Sequence, residues 1–175
     1  MTATIRLLSA QEAAHHLDDL ARLLQACVAD GASVGFVKPF GTQEAARFWQ
    51  RGVLPALADQ GRLLWAAFDG TRLVGTVQLV LDMMPNQSHR AEVSKMLVAP
   101  AFRRRGIARA LMQALLARAE TEGRDLVTLD TRSGDPSQAL YASCSFKVAG
   151  EIPGFALAPE GGPRRDPTTY MYRQS

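Results

Sequence analysis

The sequence has few of the residues that build metal sites or covalent frameworks. Its 175 residues include two cysteines, Cys27 and Cys144, and three histidines. The cysteines fit neither a zinc-ligand spacing nor a disulfide framework, and the histidines form no metal motif. We therefore expect a protein that needs no metal, with the reducing cytoplasm as its location.

The sequence also lacks a hydrophobic run of the roughly 20 residues that cross a membrane, and its first residues do not resemble a secretion signal. Hydrophobic residues make up 47% of the chain and charged residues 21%. These proportions are typical of a globular protein, and the length suits a single domain over residues 1–175. We expect no membrane partner.

The sequence has no large excess of charge. The formal net charge is +3, and arginines concentrate at residues 103–105 and 164–165. Nucleic-acid-binding proteins more often present a broad basic face, so we expect no nucleic-acid partner. Local anion binding is favoured over general surface charge, because the first cluster immediately precedes a predicted helix.

What the sequence does contain is an Arg-x-x-Gly-x-Ala turn at residues 103–108, between a predicted strand and a predicted helix. The start of a helix has free backbone N–H groups and the positive end of the helix dipole, which attract phosphate. Gly106 lets the backbone approach a ligand closely, and the arginines can pair with phosphate oxygens. The turn predicts a pyrophosphate ligand.

Hydrophobic periodicity predicts a strand, two helices, three strands, a helix, a strand, a helix and two strands. The first helix is capped by Ser9 with Glu12 and extends to about Val28, and the second is interrupted near Gly52 and Pro55. The later elements are helices over residues 104–122 and 136–143, and strands over residues 146–152 and 168–173. This order predicts one mixed α+β sheet with helices on both faces.

Two local features belong to the last third of the chain. Asp135 is predicted to cap the short helix. Residues 153–167 are predicted to form a loop that is long for a compact domain, which makes it a candidate wall of a substrate pocket. Its Arg164 and Arg165 are placed to bind a substrate carboxylate, to reach a phosphate, or to remain in solvent.

Two motifs resemble those of the GNAT family of N-acetyltransferases. They are Val98-x-Pro100-x-x-Arg103-Arg104-x-Gly106-Ile107-Ala108-x-x-Leu111 and Asp135-Pro136-Ser137-Gln138-Ala139-Leu140-Tyr141-x-x-x-x-Phe146. The resemblance covers essentially the whole chain in element order. It implies the GNAT fold, an α+β architecture with a mostly antiparallel mixed sheet of about seven strands. That sheet is splayed between its fourth and fifth strands and has helices on both faces.

The resemblance implies acetyl-CoA as cosubstrate. The backbone amides of residues 104–108 would cradle the CoA pyrophosphate, and the preceding strand would pair with the pantetheine arm. The implied contacts are Met96, Leu97, Val98, Arg103, Arg104, Arg105, Gly106, Ile107, Ala108 and Ser137. Two positions depart from the family pattern: Ser145 replaces a frequent glycine, and Asp135 replaces a frequent asparagine, which removes an amide contact to pantetheine.

A closer resemblance, at residues 86–95, 129–131 and 150–156, is to the tabtoxin-resistance acetyltransferases. These enzymes acetylate an amino group of a small amino acid toxin that carries a β-lactam. This resemblance implies a role in toxin or antibiotic resistance. It also implies three catalytic residues: Glu92, Asp130 and Tyr141.

The chemistry of amine acylation independently favours these residue types. An amine with a pKa near 10 is mostly protonated at neutral pH, and only its neutral form attacks a thioester, so the site needs a proton acceptor. Glu92 and Asp130 end up in one crevice if their strands are neighbours, and either can be the base. The alternative is that Glu92 pairs with a nearby arginine and Asp130 closes a turn.

Tyr141 can assist departure of the CoA thiolate. Proton transfer from a phenol with pKa near 10 to a thiolate of pKa near 8.5 is uphill by roughly 2 kcal/mol, so a hydrogen bond to the sulfur is at least as reasonable as full protonation. Without the motif, a tyrosine on a short amphipathic helix is more often a core residue.

The predicted function is acetyl-CoA-dependent N-acetyl transfer to a small-molecule amine, in a protein that can form a homodimer. Two alternatives stay open. One is a protein or peptide N-acetyltransferase on the same fold. The other is a non-catalytic acyl-CoA sensor, which would keep residues 103–108 without needing the carboxylates and the tyrosine together.

Overall fold

The computed structural model describes residues 3–175, and its centre is a seven-stranded sheet. The strands are β1 Thr4–Leu8, β2 Arg62–Asp69, β3 Arg72–Val80, β4 Arg90–Val98, β5 Leu126–Arg132, β6 Lys147–Leu157 and β7 Arg165–Gln174. They are ordered β1-β2-β3-β4-β5-β7-β6, and every neighbouring pair is antiparallel except β4–β5. The predicted mixed α+β class is confirmed.

The pairing of β4 with β5 is short. Residues 90–92 pair with residues 126–128, and no further pairs between these strands are present within residues 3–175. Further along β4 its register with β3 shifts between Thr76 and Gln78, where β4 has one extra residue, and Lys95 has a φ of +49°. Such a bulge bends a strand and increases its twist. The two strands therefore diverge, which is the predicted splay between the fourth and fifth strands.

Short helices follow β1 and cover one face of the sheet. They are α1 Ala10–His15, α2 Leu17–Ala29, α3 Thr42–Phe48 and α4 Leu54–Ala58, with a π-helical turn Trp49–Val53 between the last two. The capping box of Ser9 and Glu12 is confirmed, and so is the interruption around Gly52.

The prediction of one continuous helix from Ser9 to Val28 was wrong. The chain leaves helical geometry at His16, which has φ −93° and ψ 17° and divides α1 from α2. The His16 ring packs on Phe68 with ring centroids 5.2 Å apart, and its Nδ1 lies 3.3 Å from Asp19 Oδ2. These contacts at His16 favour a bend over the continuous helix that the hydrophobic period predicts.

The helix after β4, α5 Ile107–Thr121, begins three residues later than predicted. Arg104 and Gly106 have φ of +65° and +78°, which is incompatible with a right-handed helix. Gly123 follows the helix at φ +69°, as expected of a residue that ends one.

The short helix α6 Ser137–Ser143 also differs in its cap. The N-cap residue is Pro136, so the predicted capping position of Asp135 was one residue too early. Asp135 still stabilises the helix start, because its Oδ1 accepts hydrogen bonds from the Ser137 backbone N–H and hydroxyl at 3.3 and 3.2 Å.

The predicted loop at residues 153–167 was wrong for most of its length. Residues 153–157 belong to β6 and residues 165–167 to β7, so the connection is only residues 158–164. Pro153 and Gly154 lie within a register shift between Ile152 and Ala156, on a strand at the sheet edge. An edge strand with such an irregularity tolerates a proline, which lacks the N–H that a central strand would need.

The two faces of the sheet bury separate hydrophobic clusters. One cluster joins α5 and α6 to β2–β5 and β7, and includes Leu111, Leu115, Val93 and Leu129. The other packs α1–α4 against β1–β4 and contains no residue of β5, β6 or β7 within the described chain. Helices therefore cover both faces, as predicted. Searched over residues 3–175, no helix has both the length and the apolarity needed to span a membrane.

Candidate functional site

A cavity of about 970 Å³ lies where β4 and β5 diverge. Its walls come from β4, the turn before α5, β5, α6, the β6–β7 hairpin, and the segment of residues 30–35 after α2. Because two neighbouring strands separate here, side chains and backbone that would otherwise be covered face open space.

The turn before α5 forms one end of this cavity. Arg103, Arg104, Gly106, Ile107 and Ala108 all line it. The N–H groups in the first turn of α5 have no partner within the helix, and no side chain in the described range 3–175 caps them. Together with the positive end of the helix dipole, these free groups attract an anion. No atom lies within 4 Å of the position that a Cβ on Gly106 would take, so a ligand can approach the backbone there.

The three neighbouring arginines have different environments. Arg103 donates from Nη1 to Asp30 at 2.5 Å and from Nε to the Val98 carbonyl at 3.3 Å, which connects the turn to the end of α2. Arg105 lies outside the cavity: its guanidinium stacks 4.8 Å from the Phe102 ring centroid and donates to a backbone carbonyl of the preceding turn. Of the ten predicted acetyl-CoA contacts, Arg105 alone does not line the cavity.

The end of β4 and the start of α6 continue this wall. Met96, Leu97 and Val98 line the cavity beyond the point where β4 stops pairing with β5. Ser137 lines it from the other side, with its hydroxyl 2.7 Å from that of Thr131. The predicted strand and helix contacts are thus brought to one cavity with the basic turn.

Two carboxylates, Glu92 on β4 and Asp130 on β5, line the same cavity. Their strands are neighbours, as the sequence prediction required. Glu92 Oε2 accepts a 3.4 Å hydrogen bond from Arg90, but its side chain is 45% exposed, so this pairing contributes little. Asp130 Oδ2 accepts a 2.9 Å hydrogen bond from the hydroxyl of buried Thr168.

Tyr141 on α6 is 6% exposed and lines the cavity. It also belongs to the hydrophobic cluster below α5, with its ring centroid 6.1 Å from that of Phe146. Burial raises the pKa of Tyr141 far above its usual value, and the nearby charges of Asp135 and Asp130 raise it further. The phenol is therefore neutral over the whole physiological pH range and can act as a hydrogen-bond donor.

The hairpin of β6 and β7 supplies another wall. Its cavity residues are Phe155, Ala156, Asp166, Pro167 and Thr168. The two arginines of the predicted loop lie outside the cavity. Arg164 pairs with Glu160 at 3.0 Å and with Asp166 at 3.4 Å, so it is engaged within the hairpin.

Sequence reasoning missed Lys95, Thr168 and Arg132. Lys95 lies in the bulge of β4, where strict alternation of side chains fails, so the sequence period does not reveal which face its side chain takes. Thr168 holds Asp130 from a strand 38 residues away, a pairing that sequence alone does not disclose. Arg132 donates to the Gly31 carbonyl at 3.2 Å and pairs with Asp135 at 3.0 Å, which ties the segment above the cavity to β5.

The model of the acetyltransferase (GNAT) family matches residues 17–146 of the chain. Human N-acetyltransferase 8 is 34% identical over 97 residues, which are 54% of this chain. The chain spans 43% of the length of that curated relative. The family match therefore includes the turn before α5 and both carboxylates.

Solved structures share the fold. A ribosomal-protein-alanine N-acetyltransferase from Brucella melitensis has a TM-score of 0.80 at 18% identity, with 98% of this chain and 99% of that chain covered. A GNAT superfamily phosphinothricin acetyltransferase from Sinorhizobium meliloti, solved in complex with acetyl-CoA, has a TM-score of 0.78 at 22% identity, with 99% and 89% covered. At these identities the likeness is one of architecture.

Proposed function

We propose, because this chain belongs to the acetyltransferase (GNAT) family, that it transfers the acetyl group of acetyl-CoA to the amine of a small, amino-acid-like molecule. The observation that carries the proposal is a single cavity lined by an anion-attracting turn, two carboxylates and a buried tyrosine. A donor held at one end of this cavity would meet an acceptor held near the carboxylates. No metal takes part in this proposal.

The residues around the turn suit the donor. The first-turn N–H groups of α5 and the guanidinium of Arg104 face a space that can take a pyrophosphate, and the glycine at position 106 leaves the approach open. The backbone of Leu97 and Val98 would hold the pantetheine arm as an added strand, since β4 has no β5 partner at that level. Bound acetyl-CoA supplies an acetyl thioester to the centre of the cavity.

Glu92 and Asp130 would receive the ammonium form of the acceptor and take its proton, directly or through one water. Two negative side chains in a partly closed cavity attract a cation and favour its positioning. Thr168 fixes the orientation of Asp130 through their 2.9 Å hydrogen bond. The neutral amine then forms a bond to the acetyl carbon, and its nitrogen loses a second proton to a carboxylate or to solvent. The carbon–sulfur bond breaks, and CoA leaves as the thiolate.

Tyr141 would donate a hydrogen bond to the departing sulfur. Its raised pKa makes full transfer of the phenolic proton to a thiolate still less favourable than the roughly 2 kcal/mol expected from ordinary pKa values. A hydrogen bond stabilises the developing charge without that cost. We therefore assign Tyr141 the role of donor, with the final proton supplied by solvent.

A small acceptor is favoured by the connection of one wall of the cavity to β5. Residues 31–35 form that wall, and the hydrogen bond from Arg132 to the Gly31 carbonyl ties it to β5. An open peptide groove would be interrupted by this connection. The resemblance to tabtoxin-resistance enzymes, and the shared fold with a phosphinothricin acetyltransferase, support an amino-acid-like toxin as the acceptor and resistance as the role.

Protein acetylation is the second candidate. It is favoured by the shared fold with a ribosomal-protein-alanine N-acetyltransferase. The two candidates differ in their acceptors, so one assay decides between them: release of CoA thiol from acetyl-CoA with amino acids, polyamines, amine-bearing antibiotics and toxins, and peptides with free N-termini or lysines. A homodimer, which we also propose, is tested separately by sedimentation.

Glu92→Gln and Asp130→Asn should each lower turnover while acetyl-CoA affinity, measured by calorimetry, is preserved. Glu151→Gln is the matched control, since Glu151 is exposed on β6 and does not line the cavity. Acetyl-CoA binding without thiol release from any amine would favour a non-catalytic sensor. Absence of acetyl-CoA binding would contradict the proposal as a whole.

A further inference from the structure

Lys95 occupies a position in the cavity to which the proposed reaction gives no role. It lies in the β4 bulge with a φ of +49° and lines the cavity together with Glu92. Its Nζ is 5.4 Å from the ring centroid of Phe48 and 5.9 Å from that of Phe36. The Nζ is also 3.8 Å from the position that a Cβ on Gly35 would take, so it lies next to the segment of residues 31–35 that lines the cavity.

The ammonium group of Lys95 has no ion-pair partner within residues 3–175. Burial and the positive charge of Arg62 lower the pKa of Lys95, while the carboxylates of Asp130 and Glu92 act in the opposite direction. The faces of two aromatic rings offset part of the cost of burying a cation, but they supply no counter-charge. A partly buried ammonium without a counter-ion favours the arrival of an anion.

A second positive charge, that of Arg62, is close enough to Lys95 to act on its pKa. Arg62 is paired in register with Val80, which is paired with Glu92, so Arg62 and Glu92 project from the same face of the sheet two strands apart. Arg62 donates to Gln78 Oε1 at 2.5 Å, and its Nε and the Gln78 Nε2 are buried without hydrogen-bond partners among the described residues. Neither Arg62 nor Gln78 lines the cavity, so within this group it is Lys95 that presents its positive charge there, beside Glu92.

We propose that Lys95 binds a carboxylate on the acceptor, so that the substrates are amines that also carry a carboxylate. This inference rests on the proposed N-acetyltransferase function. Glu92 and Asp130 receive the ammonium of such a zwitterion, and Lys95 receives its carboxylate. An amine without a negative group would leave the charge of Lys95 unpaired in the partly closed cavity, so such an amine should bind weakly. Lys95 is thus a specificity-determining residue.

The test compares acceptors in matched pairs. Amino acids and amino-acid toxins are assayed for thiol release alongside the corresponding carboxamides, which keep the amine and remove the negative charge. The wild-type protein should have a KM for the acid about 10-fold to 100-fold lower than for the amide, the range of one hydrogen bond between charged groups. The value of kcat should differ much less, because the carboxylate takes no part in bond making.

Lys95→Met should abolish this preference by raising KM for the acid toward that for the amide. Lys95→Arg, which keeps the charge, should retain part of it. Lys147→Met is the matched control, since Lys147 is exposed at the start of β6 and does not line the cavity. If Lys95 only supports Phe36 and Phe48, Lys95→Met will lower Tm without changing the ratio of the two KM values, which overturns the inference.

The outcomes separate the inference from the function beneath it. An amide accepted as well as its parent acid overturns the inference and leaves N-acetyl transfer intact. Peptides or polyamines as the preferred acceptors do the same. If acetyl-CoA binds and no member of any pair releases thiol, the proposed function itself is contradicted, and the inference is contradicted with it.

Discussion

Replacing Gly106 with alanine would separate backbone strain from the loss of a ligand contact. Gly106 has a φ of +78°, and no atom lies within 4 Å of the place where a Cβ would stand. The new methyl group therefore meets no protein atom, and the cost to folding is that of a left-handed non-glycine residue, about 1–2 kcal/mol. For a protein of this size each kcal/mol lowers Tm by roughly 2–4 °C.

The other end of the same helix provides a matched control. Gly123 has a φ of +69° and equally open space around its Cβ position, but it does not line the cavity. Gly106→Ala and Gly123→Ala should therefore lower Tm by similar amounts. Only Gly106→Ala places a methyl group at the turn where we propose that the pyrophosphate binds.

Acetyl-CoA affinity should fall about 10-fold to 100-fold in Gly106→Ala, because one hydrogen bond from the turn to a charged phosphate contributes about 1.5–3 kcal/mol. Gly123→Ala should bind as the wild type does. Calorimetric titration with acetyl-CoA and a thermal melt of each variant give both quantities. Equal Kd values for the two variants would refute the assignment of the pyrophosphate to this turn, whatever their Tm values.

Three further predictions concern individual side chains. Tyr141→Phe should lower kcat about 10-fold to 100-fold by removing a hydrogen bond to developing charge, measured by thiol release; a change confined to acetyl-CoA Kd would contradict that role. Thr168→Val removes the donor to Asp130 and should lower acceptor kcat/KM with acetyl-CoA Kd preserved, whereas an unchanged kcat/KM would show that Asp130 needs no such support. Burial raises the pKa of Cys27 to about 11, so its thiol stays protonated below that pH, and alkylation of the native protein should be confined to Cys144. Mass spectrometry of the alkylated Cys144→Ser variant checks this, and rapid labelling of Cys27 near pH 8 would contradict it.

The sequence predicted features that depend on local chemistry. Ser9 and Glu12 form their capping box because both partners lie within one turn. The turn at Gly106 was predicted from local spacing, whereas Glu92, Asp130 and Tyr141 were implied by the family resemblance; all four residues line the cavity. For Ser9, Glu12 and Gly106 the deciding neighbours are close in sequence, which is why local patterns suffice.

The failures arose where distant contacts decided the outcome. The bend at His16 depends on packing against Phe68, which is 52 positions away along the chain. Proline and glycine interrupt strands, so the sequence predicts a loop at residues 153–157. At the edge of the sheet, however, this segment belongs to β6, which pairs with β7 across a register shift. Lys95 was overlooked because a single extra residue in β4 changes which face each later side chain takes.

The junction between β4 and β5 also governs how cooperatively the molecule unfolds. Three residue pairs join the two parts of the sheet there. The hydrophobic cluster beneath α5 spans that junction, whereas the cluster beneath α1–α4 stops at β4 within the described chain. The sheet is thus joined through a core on one side and left free on the other. A molecule that bridges β4 and β5 in the cavity adds the missing connection, so occupancy should make the two parts unfold as one cooperative unit and slow amide exchange along β5.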